Sequence, residues 1–236
     1  MKILVYGSGY VGLVTSVCLS DTDNIVDCLD IDINKVNQLN LGKSSIYEPN
    51  LETLLERGIK NKHLRFISKS IDINYDAIFI CVGTPDDSSG RADLQYVYNV
   101  ADDIAKKIKS DQYIFIKSTV PVGTCSLIEE RINKKIQSKN IKVSVSSCPE
   151  FLREGSAILD FQKPARVIIG SKNIEAINLA KKIFAPYTHM TSSLMIMGRE
   201  SSELTKYASN SFLATKISFM NQLAIFSDKV GANIND

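Results

Sequence analysis

Apolar residues along this chain fall in short unbroken runs, separated by stretches with helical spacing. KILVY (2–6) shows no polar alternation, which suits a strand covered on both faces. Glycines follow at once, and then VGLVTSVCL, apolar at helical spacing. NIVDCLD (24–30) is a second strand-like run ending in Asp30. It leads into a helix over DINKVNQLN, with Asp32 or Asn34 as its cap. HLRFIS is a weak strand, and DAIFICVGTP a strong one stopped by Gly83 and Pro85. Residues 94–109 read as helix, QYIFIKSTVPVG as strand then turn, and TCSLIEERINKKIQS as helix. IKVSVSS is a strand entering the turn CPEFLREG, ARVIIG is another strand, and NIEAINLAKKIFAPY another helix. From about Arg199 to Val230 runs one long helix without proline or glycine, apolar on more than one face, as for a helix buried between domains or subunits.

Strand and helix alternate, which predicts an α/β fold: a Rossmann-like, doubly wound parallel sheet, followed by a long central helix. The expected division is a nucleotide-binding domain over 1–198 and a helical segment over 199–236. Ligands in such sheets sit beyond the carboxyl ends of the strands. GSGYVG, Asp30, VGTP, KSTVP and PEFLREG all collect there.

In GSGYVG, Gly7, Gly9 and Gly12 have G-x-G-x-x-G spacing between a strand and a helix, and Asp30 ends the next strand 18 residues after Gly12. Gly7 permits the tight turn, Gly9 lets the backbone approach a pyrophosphate, and Gly12 lets the helix pack on the strand. The helix N-terminus supplies N–H groups and the positive dipole end to phosphates. Asp30 accepts from a ribose diol and repels a 2′-phosphate, so NAD is expected over NADP. Thr84 and Thr119 each end a strand, in VGTP and KSTVP; their hydroxyls either touch the cofactor or cap the following turns.

A second constellation follows. Glu150 and Glu154 are four apart and share a face if Pro149 starts a helical turn. They then serve as a base or position a water, or they form a solvated turn with an Arg153 ion pair. Lys206 and Asn210 are also four apart, on a stripe continuing through Leu213, Ile217, Met220 and Ala224. That stripe is expected to be buried. A lysine and an amide there suit a developing oxyanion, unless the lysine snorkels from a helix end.

Composition narrows the function further. Of the 236 residues 44% are hydrophobic, and the formal net charge is +2. No basic block with interleaved aromatics points to nucleic acid. No apolar run reaches the roughly 18 residues of a membrane span, and no signal-peptide cleavage site follows the first strand. The five cysteines (Cys18, Cys28, Cys81, Cys125 and Cys148) are isolated, without C-x-x-C, and read as small buried hydrophobes in a reducing compartment. A cytoplasmic protein is expected.

With these residues in hand, the sequence resembles the UDP-glucose/GDP-mannose dehydrogenase family. The resemblance runs through GSGYVGLVTSVCL, LDIDINKV, SSIYEPNLETLL, CVGTP, KSTVPVGT, PEFLREGSAILDF and KYASNSFLATKISFMNQLA. PEFLRE and SFLATKISFMN place it nearer the branch acting on UDP-glucose than those acting on UDP-N-acetylmannosamine or GDP-mannose. The resemblance implies oxidation of a primary alcohol of a UDP-sugar to a carboxylate in two NAD-dependent hydride transfers. It assigns Asp30 to the adenosine ribose, and adds Tyr10, Val11, Lys35 and Pro85 to the cofactor-binding set. It places Thr119 at the catalytic centre, Glu150 and Glu154 at the cofactor and reacting region, and Lys206 and Asn210 as oxyanion donors. The apolar character of the long helix on more than one face leads to the expectation of a homodimer built on it. Two departures are Cys148, where an asparagine is usual, and Ala165, where an aspartate is usual. The family pattern continues past Asp236 into a glycine-rich segment bearing a catalytic cysteine and a second nucleotide-like domain. On that pattern these residues alone are expected to be inactive. The alternatives are a non-catalytic NAD-binding module, another nucleotide-sugar 6-dehydrogenase, and a relative oxidising small hydroxy acids.

Overall fold

A computed structural model describes residues 1–69, 72–137, 140–188 and 193–236. Six parallel strands form the first part of one sheet: β1 (Lys2–Tyr6), β2 (Ile25–Leu29), β3 (Leu64–Ile67), β4 (Ala77–Ile80), β5 (Gln112–Ile116) and β6 (Val143–Ser147). β7 (Arg166–Gly170) and β8 (Ser193–Met197) complete the order β3-β2-β1-β4-β5-β6-β7-β8. The helices are α1 (Tyr10–Ser20), α2 (Ile33–Asn40), α3 (Leu51–Lys60), α4 (Gln95–Lys107), α5 (Thr124–Lys135), α6 (Ala157–Gln162), α7 (Ile174–Phe184) and α8 (Arg199–Val230).

The unbroken apolar runs have the expected cause. Ile3 and Val5 point into a core shared with α1, α2, α3, α6 and α7, while Leu4 and Tyr6 point into one shared with α4 and α5. Both faces of β1 are dry, so it shows no polar alternation. The sequence order reverses between β1 and β4, which puts the crevice of a doubly wound sheet at the turns that follow those two strands.

The sheet departs from the all-parallel expectation at β7, which runs antiparallel to β6 and meets it only through Ser147 and Gly170. The reason lies in residues 148–156. They do not turn back under the sheet but cross its carboxyl edge towards α1, where the Tyr10 hydroxyl donates to the Arg153 carbonyl at 3.0 Å. The chain therefore starts β7 from the carboxyl side. Because the two strand ends are the paired residues, β7 and β8 stand beyond the carboxyl edge of β1–β6. α3, α6 and β8 are additional to the elements that the apolar pattern predicts.

α8 is anchored only at its start. Ser202 sits over Gly170, where a Cβ would come within 2.5 Å of the Ser202 Cβ. The Ser202 hydroxyl hydrogen-bonds the Ser147 hydroxyl at 2.9 Å. Arg199 forms a two-pronged ion pair with Glu129 at 3.0 and 2.5 Å. Buried Glu203 accepts the Gly123 and Cys125 N–H groups at 2.6 and 2.7 Å, so α8 supplies the N-terminal cap of α5. Beyond the first two turns the helix leaves the body. Leu213, Ile217 and Met220, expected to be buried, are 56%, 53% and 42% exposed in this single chain.

Glu203→Ala should strand two N–H donors of α5 in a buried place and cost about 2–3 kcal/mol of stability. The chemical denaturation midpoint measures it; an unchanged midpoint would contradict the capping role.

Candidate functional site

The turn after β1 is set by steric closeness. Gly7 has φ +94°, and a Cβ there would lie 2.8 Å from the Cys81 carbonyl oxygen after β4. A Cβ at Gly12 would lie 1.9 Å from the Gly7 carbonyl oxygen, so α1 sits directly on the turn. At Gly9 a Cβ would meet nothing within 4 Å. Gly9 is the N-cap of α1, with no side chain closing the helix end. The glycines at 7 and 12 are therefore demanded by the protein itself. Gly9 faces open space at a helix N-terminus, where N–H groups and the dipole favour a phosphate.

Asp30 lies beside this turn. Its Oδ2 accepts the Ser8 N–H at 2.8 Å and the Ser8 hydroxyl at 2.6 Å, and its Oδ1 accepts the Asp32 N–H at 3.1 Å. Lys35 approaches to 3.9 Å. Burial works against ionisation, but the Ser8 hydroxyl, the two N–H groups and Lys35 outweigh it and hold the carboxyl below the usual aspartate range. The contribution of this ionised network to stability is present above the ordinary aspartate range and is lost as pH falls through the lowered folded value. Oδ1, with a single partner, retains capacity for a ribose hydroxyl.

Tyr10 and Val11 open α1 and are half-buried. The Tyr10 hydroxyl donates to Glu48, and burial together with Glu48 and Glu154 pushes its titration up. Thr84 Oγ1 donates to the Thr119 carbonyl at 2.8 Å, so this hydroxyl ties the loop after β4 to the loop after β5. Thr119 is half-buried beside it, and Pro85 is exposed.

The PEFLREG segment is not helical: residues 149–153 have no regular structure, Glu154 and Gly155 form a turn, and α6 starts only at Ala157. Glu150 and Glu154 therefore do not share a helical face. What fixes the turn at its end is Glu48, a buried carboxylate accepting the Gly155 N–H at 2.6 Å and the Ala157 N–H at 3.0 Å. Glu154 is exposed on the Tyr10 side. Glu150 faces the other way: its Oε1 takes Lys206 Nζ at 2.8 Å and its Oε2 takes the Leu152 N–H at 2.6 Å. Arg153 pairs with Asp160, at 2.7 and 3.0 Å, and with neither glutamate.

Lys206 is 6% exposed, and its ammonium also lies 5.3 Å from the centre of the Phe151 ring. Asn210, one turn on, is exposed, so this chain does not enclose the two together. The sequence reading missed Glu48 and Glu203. Both are acids whose partners are backbone N–H groups, and such partners leave no spacing signal. All five cysteines are buried, and burial raises each thiol, with Cys28 pushed up to about 12. None of them presents a thiolate. Among the described residues no helix is long and apolar enough to cross a membrane.

Comparison with known proteins agrees with this geometry. Residues 1–188 match the NAD binding domain of the UDP-glucose/GDP-mannose dehydrogenase family, and residues 200–236 match its central domain. UDP-glucose 6-dehydrogenase of Rickettsia prowazekii is 44% identical over 238 residues, covering 100% of this chain and 54% of the relative. GDP-mannose dehydrogenase from Pseudomonas aeruginosa, solved as a ternary complex, superposes with a TM-score of 0.92 at 31% identity, covering 100% of this chain and 55% of that one. A UDP-glucose dehydrogenase from Pyrobaculum islandicum gives a TM-score of 0.91 at 36% identity, covering 99% and 54%. The chain spans about half the length of the relatives it matches.

The glycines separate stability from binding. Gly12→Ala should destabilise by about 1–3 kcal/mol, the range for forced overpacking. Gly9→Ala should leave the melting temperature unchanged and weaken NAD binding. Melting curves and NAD titration of the two variants, side by side, measure this.

Proposed function

The chain belongs to the UDP-glucose/GDP-mannose dehydrogenase family, and from that premise we propose that it forms the NAD-binding half of a cytoplasmic UDP-glucose 6-dehydrogenase. The reaction is oxidation of the C6 alcohol of UDP-glucose to the carboxylate of UDP-glucuronate. NAD, when bound, supplies the hydride acceptor for each of the two oxidations. The residues present fit it: Gly9 leaves room at the α1 terminus, and Asp30 is held ionised beside it.

The observation that carries the catalytic part is the Glu150–Lys206 pair, made between a loop after β6 and the start of α8. An ammonium buried and anchored by one carboxylate oxygen is a preorganised donor for charge developing on the substrate oxygen. Glu150, paired with Lys206, positions a water or takes a proton. Thr119 lines the same end of the sheet. Glu154 faces the cofactor side beside Tyr10. Asn210 completes the oxyanion donors once α8 is covered. The catalytic thiol is not among the five cysteines here.

The same α8 supports a homodimer, with a second copy of this chain as the occupant of its apolar surface. Phe212, Phe219 and Phe226 are 73%, 62% and 60% exposed, seven residues apart, so they form one line along the helix. An exposed line of large apolar side chains is the feature of an interface rather than of a free surface. Light scattering at tens of micromolar should give twice the 26.2 kDa chain mass. A well-behaved monomer would count against the dimer.

NAD should bind and NADP much more weakly, because a 2′-phosphate would meet the Asp30 carboxylate. Asp30→Ala should weaken NAD by about 1–3 kcal/mol. Calorimetric titration of both cofactors decides this, and equal affinities would remove Asp30 from the ribose.

The catalytic reading is tested on the full reading frame in which these residues occur. Two NADH should form per UDP-glucose, and Lys206→Ala should lower kcat by about 10²–10³, the range for a lost oxyanion donor. A Lys206→Ala enzyme with unchanged kcat would sink the role.

A further inference from the structure

Beside the segment 149–153 lies a cavity of about 400 Å³, between that segment, α6 and the start of β7. Its volume is that of a small-molecule site. Two acids line it, and both are committed. Glu150 is used by Lys206 and the Leu152 N–H. Asp160 is used by the Arg153 guanidinium and N–H. Three cations line it as well: Arg153 is the one paired with Asp160, while Lys117 and Arg166 have no hydrogen-bond or ion-pair partner among the described residues.

Lys117 is the more demanding of these. It is 4% exposed; its ammonium lies 5.7 Å from the Phe161 ring centre and 6.0 Å from that of Phe184, and the buried thiols of Cys18, Cys81 and Cys148 are close enough to feel its charge. Both rings line the cavity. Arg166, half-buried, stacks over Phe151 at 4.3 Å and leaves its guanidinium edge unused. Ala165, at the position where the family pattern has an aspartate, also lines this cavity and offers no carboxylate. A buried ammonium with three N–H donors and no acceptor is costly unless something answers it.

We propose that this cavity is an anion-binding site, in which Lys117 and Arg166 together hold a phosphate or carboxylate group of a small molecule. The rings of Phe151, Phe161 and Phe184 exclude water and strengthen the attraction. The Arg166 fork suits two oxygens of one oxyanion, and Lys117 supplies the point charge behind them. The site does not depend on the redox reading above, because it rests on cations that the fold leaves unpaired.

The test is thermal stability of the chain during titration with inorganic phosphate and, separately, with glucuronate, against sodium chloride of matched ionic strength. Saturating NAD is present throughout, to keep anions off the α1 terminus. Wild type should show a saturable rise in melting temperature with one or both probes. A response to phosphate alone assigns a phosphorylated ligand, and a response to glucuronate alone assigns a carboxylate. Lys117→Met should melt no lower than wild type without anion, since it removes an unpaired buried charge, and should weaken the response about tenfold or more. Arg166→Gln, at the cavity wall, should weaken it similarly and decides the matter if Lys117→Met does not fold. No saturable rise with either probe, or undiminished affinity in Arg166→Gln, would overturn the proposal.

Discussion

Everything at the carboxyl edge depends on how closely α1 approaches the turn after β1. The Gly12 Cα lies so near the Gly7 carbonyl that no side chain fits between them, and Gly7 in turn abuts the backbone after β4. This closeness fixes the start of α1 beside the crevice between β1 and β4. It also brings Tyr10 to the place where residues 148–156 cross the sheet. A looser helix would displace the dipole end, the Asp30–Ser8 network and the Tyr10 anchor together, since all are attached to the same turn.

The crossing segment shows how two buried acids organise the site without touching its chemistry. Glu48 holds the Gly155 and Ala157 N–H groups, which fixes the turn at the end of PEFLREG and the start of α6. Glu203 holds the start of α5, which follows the Thr119 loop, and so fixes α8 against that loop. Lys206 lies three residues on, and its reach to Glu150 follows from that anchorage. Position at the site is set by carboxylates spent on backbone N–H groups.

This division explains what was legible in the sequence. Strands buried on both faces, the glycine turn and Asp30 left local marks: unbroken apolar runs, fixed spacing, an acid at a strand end. Lys206 was legible because a lysine on an apolar stripe is out of place. The antiparallel β7 was not, because strand direction depends on where a loop travels, and that is decided by Tyr10 and Glu48 more than a hundred residues earlier. The non-helical PEFLREG was not, because i, i+4 spacing is the same in a helix and in an irregular segment. The exposure of α8 beyond Lys206 was not, because an apolar stripe does not record what packs on it.

The junction of β6 and β7 has a consequence for how the molecule comes apart. A continuous ladder makes neighbouring strands open together, but here the ladder is interrupted to a single pair, Ser147 with Gly170. Across that seam the two parts are joined by hydroxyls, Ser146 to Ser171 and Ser147 to Ser202, by the Arg199 and Glu203 anchors, and by the core that Val167 and Ile169 share with β1 and α1. Cooperativity across the seam rests on side-chain packing, so the protection of the β7 amides depends on that packing and not on a ladder with β6.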